Sequence, residues 1–292
     1  SFSAPVRSHY WDDPLNQAIM KAWRAGIVVV ASAGNTGPNP MSVGVPGNNP
    51  YVITVGAMTD NYTPSNGADD RLASFSATGP TYEGFVKPDL VAPGGHMVAL
   101  STKDGLLPRT YRQFLTGVDE YFQMSGTSQA TAVVSGVAAL MLDADPTLTP
   151  DDVKCGLMAT AEVARIGSAT PYSVFQQGAG LVDAYAAVSE RPLGCANSGL
   201  DIVADLAGTR HFGGPASRDA NGVYFLMNQA GTGTTWNGNY SGTGGYPWSD
   251  GYPWSDGYPW SDGYPWSDGY PWSDGYPWID GYPWSGGLAE PA

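Results

Sequence analysis

Met124-Ser125-Gly126-Thr127-Ser128-Gln129-Ala130-Thr131 runs straight into Ala132-Val133-Val134-Ser135-Gly136-Val137-Ala138-Ala139-Leu140-Met141-Leu142. The apolar run predicts a buried helix from Ser128 to Leu142, closed by Asp145-Pro146. A tight Gly-Thr turn delivers Ser128 to the first helical turn. There the hydroxyl is exposed, and unpaired N–H groups and the positive end of the helix dipole face the place where an oxyanion forms. Taken alone, the same pattern also describes an ordinary capped turn.

An upstream segment changes the balance. Gly26-Ile27-Val28-Val29-Val30-Ala31-Ser32-Ala33-Gly34-Asn35-Thr36-Gly37-Pro38 reads as a short, β-branched, buried parallel strand over Ile27 to Ala33, ending in a Gly-Asn turn. In open α/β sheets, functional groups gather beyond the carboxyl ends of the strands, and Asn35 stands at such an end with a side-chain N–H₂ to offer. By itself it is a turn asparagine. Before the strand, Asp13-Pro14 starts a helix that places Leu15, Ala18, Ile19, Ala22 and Trp23 at helical spacing and stops at Gly26. Tyr51-Val52-Ile53-Thr54-Val55 reads as another buried strand, and Thr149-Pro150-Asp151-Asp152 as a capped helix start. Alternating helices and strands of this kind predict an α/β fold, a mostly parallel sheet flanked by helices on both faces.

Taken together, these blocks resemble the subtilisin-like serine proteases. Ser1-Phe2-Ser3-Ala4-Pro5 resembles the family's substrate-binding strand, and Ala31-Ser32-Ala33-Gly34-Asn35 the floor of its specificity pocket followed by the oxyanion asparagine. Ala73-Ser74-Phe75-Ser76 with Gly79-Pro80, then Lys87-Pro88-Asp89-Leu90-Val91-Ala92-Pro93-Gly94, match framework signatures. Gly126-Thr127-Ser128-Gln129-Ala130 is similar to the nucleophile motif, and Gly178-Ala179-Gly180-Leu181-Val182-Asp183-Ala184 to the closing helix. The resemblance covers roughly residues 1 to 190. It implies Ser128 as nucleophile and Asn35 as oxyanion donor. It further implies that Ser1, Phe2, Ser3, Ala4, Ala31, Ser32, Ala33, Gly34 and Thr127 hold an extended peptide substrate. No cofactor is required for such chemistry. Structural calcium is an implied possibility, with no metal ligand assigned.

Departures from the family pattern are specific. Thr131-Ala132-Val133 stands where the family has Ser-Pro-His, and Ser3-Ala4 replaces its paired glycines, narrowing the cleft. Small residues at Ala31, Ser32 and Ala33 predict room for a large apolar or aromatic substrate side chain. The family's triad runs Asp, His, Ser along the chain. Neither an Asp-Ser/Thr-Gly nor a His-Gly-Thr-His motif occurs, and His9, His96 and His211 read as surface residues. The chain therefore reads as the C-terminal part of a catalytic domain, with its catalytic Asp and His upstream and no activity alone. Gly-x-Ser-x-Gly is absent because Ala130 fills its last place, which argues against an α/β-hydrolase.

A formal net charge of −14 argues against nucleic-acid or anionic-membrane partners, and 42% hydrophobic content allows a sizeable core. No run approaches the ~20 apolar residues needed to cross a bilayer. Cys155 and Cys195 are compatible with a disulfide or with buried thiols. We divide the chain into residues 1–192, the peptidase part; 193–235, a small β extension or linker; and 236–292, a tail. In the tail Gly-Tyr-Pro-Trp recurs every six residues in seven copies from Gly245 to Trp284, mostly followed by Ser-Asp. Proline at that period excludes continuous helix and favours turns. Near-identical copies give no core-forming variety, so disorder is expected. Two alternatives to a secreted endopeptidase follow. One is an inactive scaffold of the same fold; the other is a glycan- or surface-binding module using the tail's aromatic residues.

Overall fold

The computed structural model describes residues 1–63, 66–117, 121–164, 172–190, 192–227, 233–234 and 252–253. In chain order, helix α1 (Pro14–Arg24) precedes strands β1 (Val30–Ser32), β2 (Ile53–Thr59), β3 (Arg71–Leu72), β4 (Leu90–Pro93) and β5 (Met97–Leu100). Helix α2 (Leu106–Thr110), β6 (Leu115–Thr116) and β7 (Tyr121–Met124) lead into the long helix α3 (Thr127–Ala144). Then come α4 (Pro150–Ala159), α5 (Val174–Gln177), α6 (Ala184–Glu190) and α7 (Ile202–Leu206). Strands β8 (Phe212–Gly213), β9 (Ala216–Arg218) and β10 (Tyr224–Met227) follow.

The central sheet is built on β2. Its neighbours β1 and β4 run parallel to it, with Ser32 opposite Val55 and Leu90 opposite Val55. The short β3 pairs antiparallel with the far end of β2, on the edge that β1 occupies nearer its start. Helix α3 packs over β1, β2 and β4. Its buried Ala130, Val134, Val137, Ala138 and Met141 recur at helical spacing and lock onto Val55, Ala57 and Leu90. Asp13 caps α1 by accepting from Leu15 N and Asn16 N, and Thr149 with Asp152 forms a capping box on α4.

Strand bounds differ from the sequence reading. The first strand is shorter than Ile27 to Ala33: Ile27 is exposed, and pairing with β2 begins only near Val29, whose carbonyl accepts from Ile53 N. The second lies later than Tyr51 to Val55. It continues through Gly56-Ala57-Met58, weak strand formers that are nevertheless fully enclosed between neighbouring strands and α3.

Three long-range polar anchors hold the periphery to this core. Lys87 Nζ donates to Asp89 Oδ2 (2.6 Å) and to the Val52 carbonyl. Lys154 Nζ lies 3.3 Å from Asp89 Oδ1 and donates to Pro50 O and Asn197 Oδ1. Asp205 accepts from the hydroxyls of Tyr10 (2.6 Å) and Tyr51 (3.0 Å) and pairs with His211. Burial raises the Asp205 carboxyl above its ordinary range, and burial followed by the Asp205 charge raises both phenols. Cys155 and Cys195 form a disulfide, tying α4 to the segment after α6. Residues 193–227 thus carry a capped helix and three short strands; β8 also pairs with Tyr252–Pro253 and β10 with Gly233–Thr234. Apart from Tyr252 and Pro253, the tail of residues 236–292, and with it the expectation of disorder, lies outside the described residues.

Candidate active site

The carboxyl end of β1 and the amino end of α3 meet at a cavity of about 470 Å³. The sharp turn after β1 is made by Gly34, whose φ of +113° disfavours any side chain; a Cβ there would also stand 2.9 Å from Ser3 Oγ. The turn aims Asn35 at the first residues of α3. Asn35 Oδ1 accepts from Thr127 N (2.9 Å) and from Thr127 Oγ1 (3.0 Å), while Thr127 Oγ1 accepts from Gly34 N (3.2 Å). Because both Thr127 donors need an acceptor, the amide oxygen of Asn35 must face the helix. Its Nδ2 is left pointing along Gly126 toward Ser128. A Cβ built on Gly126 would lie 2.7 Å from Gln129 Oε1, 3.4 Å from Asn35 Nδ2 and 3.7 Å from Ser128 N, so a side chain at that glycine would crowd all three groups.

The turn itself is held from β4, with Gly126 N donating to the Gly94 carbonyl at 2.8 Å. Ser128 is half-buried, and its N–H has no acceptor among the described residues. Its Oγ donates to the Ser1 carbonyl (2.8 Å), and Ser1 Oγ donates back to the Ser128 carbonyl (3.0 Å). The segment of Ser1 to Ala4 is fixed where Ala4 and Val45 exchange backbone hydrogen bonds and Ser32 Oγ donates to the Phe2 carbonyl. A hydroxyl, a free helical N–H and an aimed amide N–H₂ therefore converge on one edge of a cavity. This arrangement suits attack on a carbonyl and capture of the resulting oxyanion.

A sequence model of the Subtilase family matches residues 3–180. The chain belongs to the subtilase family. It is 47% identical over 146 residues to serine protease AprX of Bacillus subtilis, covering 50% of this chain and 33% of that protein. It is 34% identical over 175 residues to subtilisin DY of Bacillus licheniformis, covering 59% and 51%. The chain thus spans a third to a half of the length of these relatives. The solved prenylagaramide maturation protease PagA shows 24% identity and a TM-score of 0.48, over 65% of this chain and 60% of that one.

Within this subtilase chain the residues singled out from sequence divide into three groups. Ser3, Ala4, Ser32, Gly34, Asn35, Thr127 and Ser128 all line the one cavity. Ala31 and Ala33 do not: both are buried, Ala31 in the main core and Ala33 in a small cluster with Val43 and Ala77. Successive side chains of an extended strand point to opposite faces, so within β1 Ser32 faces the cavity and its neighbour Ala31 faces the core. Ser1 reaches Ser128 only through hydrogen bonds at the rim, and the Phe2 side chain is exposed. Beside Ala4, Pro5 and Val6, the apolar wall includes Met41 and Val43, which the sequence reading missed. They sit in a connecting loop between two recognised blocks, where no periodicity marks them.

The histidines are not bare surface residues. His9 pairs with buried Glu83 and His211 with buried Asp205, and their rings sandwich Trp11 at 4.2 and 4.4 Å. His96 contacts Thr59 Oγ1 and stacks on Tyr62. Each is occupied where it stands, held by carboxylate or aromatic neighbours distant in sequence. Among the described residues no cluster of three or more His, Cys, Asp or Glu could hold a metal ion.

Proposed function

We propose that this chain supplies the nucleophile and the oxyanion site of a serine endopeptidase. The observation that carries the reading is the orientation of Asn35, whose amide oxygen is consumed by Thr127 so that Nδ2 is aimed beside the Ser128 N–H. Ser128 Oγ attacks the substrate carbonyl and loses its proton to a histidine base; Asn35 Nδ2 and the Ser128 N–H hold the oxyanion. The amine then leaves with that proton, and water resolves the acyl-enzyme by the same route. The base and the aspartate that orients it are assigned to residues preceding Ser1. In the full assembly the Ser128 hydroxyl exchanges its bond to Ser1 for one to that histidine.

The substrate backbone adds as an extended strand beside Ser1 to Ala4 and the segment of Ala31 to Gly34. Ser32, Gly34, Met41 and Val43 shape the pocket for a large apolar side chain. Cleavage profiling that shows a strict preference for basic residues overturns this specificity. Secretion is part of the proposal and is supported by the Cys155–Cys195 disulfide, since such bonds persist in oxidising compartments.

The deciding experiment is fluorophosphonate labelling of the protein together with its preceding residues. Labelling is expected in the parent and lost in Ser128→Ala. A parent that resists the reagent while folded is the inactive scaffold instead, and sinks the enzymatic reading.

A further inference from the structure

Strand β8 and the residues after it bond to the domain from one side only. Phe212 N donates to the Tyr10 hydroxyl (3.3 Å), Gly214 N to the Glu83 carbonyl (2.7 Å) and Ala216 N to the Gly84 carbonyl (2.9 Å). Alternate residues of an extended chain turn their N–H groups to opposite sides, so Gly213 faces the other way, and Pro215 has no N–H to offer there. Gly213 is buried, and a buried N–H needs an acceptor. The strand that meets it is Tyr252–Pro253, running antiparallel, with Tyr252 opposite Gly213 and Pro253 opposite Phe212.

Opposed residues of an antiparallel pair alternate between exchanging hydrogen bonds and turning them outward. Because Tyr10 takes the Phe212 N–H, the exchanging pair is Tyr252 with Gly213. Pro253 then lies at the outward position, where no N–H is called for. The same proline leaves the new edge without a donor, so a further strand has nothing to pair with there. Tyr-Pro is thus a dipeptide that this edge fits, and the chain carries it seven times at six-residue spacing, from Tyr246 to Pro283. One step further in the same register, the residue after the proline comes opposite His211. That residue is tryptophan in all seven copies. The His211 ring stacks on Trp11 at 4.4 Å, and Trp11 on His9 at 4.2 Å, so a row of rings flanks the slot. A cross-strand aromatic neighbour at that place reinforces a ladder of one bonded pair.

We propose that β8 is a receptor for the hexapeptide unit itself, in which the seven copies of this chain's own tail exchange, so that the domain holds its tail at any of seven registers. One backbone pair and one ring contact make a weak site. Tethering fills it, because slot and units on one chain meet at an effective concentration on the order of millimolar. The tyrosines of the units lie 12 to 48 residues after Thr234, which is fixed by pairing with β10. Loop closure weakens as the three-halves power of length, so the first and last units differ by only about eightfold. No single register dominates, and six units remain outside the slot at any moment.

Amide hydrogen exchange at Gly213, followed by NMR in the full chain, reads the occupancy of the slot. Gly214, bonded inward to Glu83, is the internal control. Tyr252→Pro removes the pairing N–H of one register and is expected to lower Gly213 protection by less than about twofold, because the other units refill the slot. The same change at the tyrosine of all seven units is expected to lower it by at least about tenfold, with Gly214 unaltered. Free Gly-Tyr-Pro-Trp-Ser-Asp peptide at millimolar concentration then restores part of the protection.

A loss of about tenfold at Gly213 in Tyr252→Pro alone assigns the slot to one unique segment and overturns the proposal. That comparison needs only the parent and the single variant, so it decides the matter even where the sevenfold variant does not fold. An unprotected Gly213 in the parent, or full protection in a folded sevenfold variant, overturns it as well. Protection in the parent that falls on dilution assigns the slot to the tail of a second copy and overturns the intramolecular exchange.

Discussion

Raising the pH from 8 to 9.5 is expected to stabilise this protein, and a single buried lysine sets the size of the effect. Lys87 and Lys154 both approach Asp89, at 2.6 and 3.3 Å, with all three side chains 1–3% exposed. One carboxylate faces two ammonium groups, so the fully protonated site carries an excess positive charge with no access to water. Burial, with Lys154 adding to it, pushes Lys87 down from 10.5 to about 7. The folded value lies below the unfolded one. Between about 7 and 10.5 the unfolded chain therefore binds a proton that the folded chain has released.

Stability then climbs with pH through that window, and is lost as pH falls through the folded value. One proton is worth about 1.4 kcal/mol per pH unit, so the rise from pH 8 to 9.5 is about 2 kcal/mol. Staying below pH 10 avoids Tyr10 and Tyr51, whose raised phenols contribute the opposite slope. Urea unfolding followed by tryptophan fluorescence at three pH values measures the slope. Lys87→Met keeps the apolar volume, leaves Asp89 one cation, and is expected to flatten it. A parent protein with no rise over this range, or a variant with the same rise, would refute the charge-balance argument.

Other outcomes follow from the site and its anchors. Asn35→Ala, assayed in the protein with its preceding residues, is expected to lower kcat by about 10²–10³ with KM little changed; that magnitude is carried over from subtilisin, where this kind of donor has been removed. Thr127→Ala leaves the Gly34 N–H buried without its acceptor and removes one of the two donors that hold Asn35 Oδ1, the backbone N–H of residue 127 remaining. We expect a loss of about 1–3 kcal/mol in urea unfolding, together with a fall in kcat; retention of both refutes the pinning role. Reducing the Cys155–Cys195 bond, which closes a separation of 40 residues, is expected to cost about 2–4 kcal/mol by the same assay. Asp205→Asn removes a carboxyl whose folded value is raised. Its stabilising contribution is complete below the unfolded value of 3.8 and lost as pH rises through the folded one. The parent-minus-variant difference should therefore fall with rising pH across that interval, and a constant difference would count against it.

The sequence by itself determined whatever rests on short-range chemistry. The Gly-Thr-Ser turn, the apolar period of α3, the caps at Asp13 and Thr149 and the Gly-Asn turn after β1 each depend on neighbours within a helical turn or a strand residue or two. Their order along the chain was enough to point to an α/β fold and to place Asn35 and Ser128 in one family pattern. Tertiary structure alone decided the directions in which groups face. Strand alternation could be counted in advance, but which parity met the cavity depended on α3 lying over one face of β1, so Ala31 went to the core and Ser32 to the site. Lys87-Pro88-Asp89 read only as a framework block, because the Lys154 that makes it a three-charge cluster lies 67 positions beyond Lys87 in the sequence. Likewise His9 and His211 read as surface residues until Glu83, Asp205 and the shared Trp11 met them. A residue's type and spacing fix what bonds it is able to make; only the packed fold, which brings distant partners within 3 Å and excludes water between them, selects the bonds it does make.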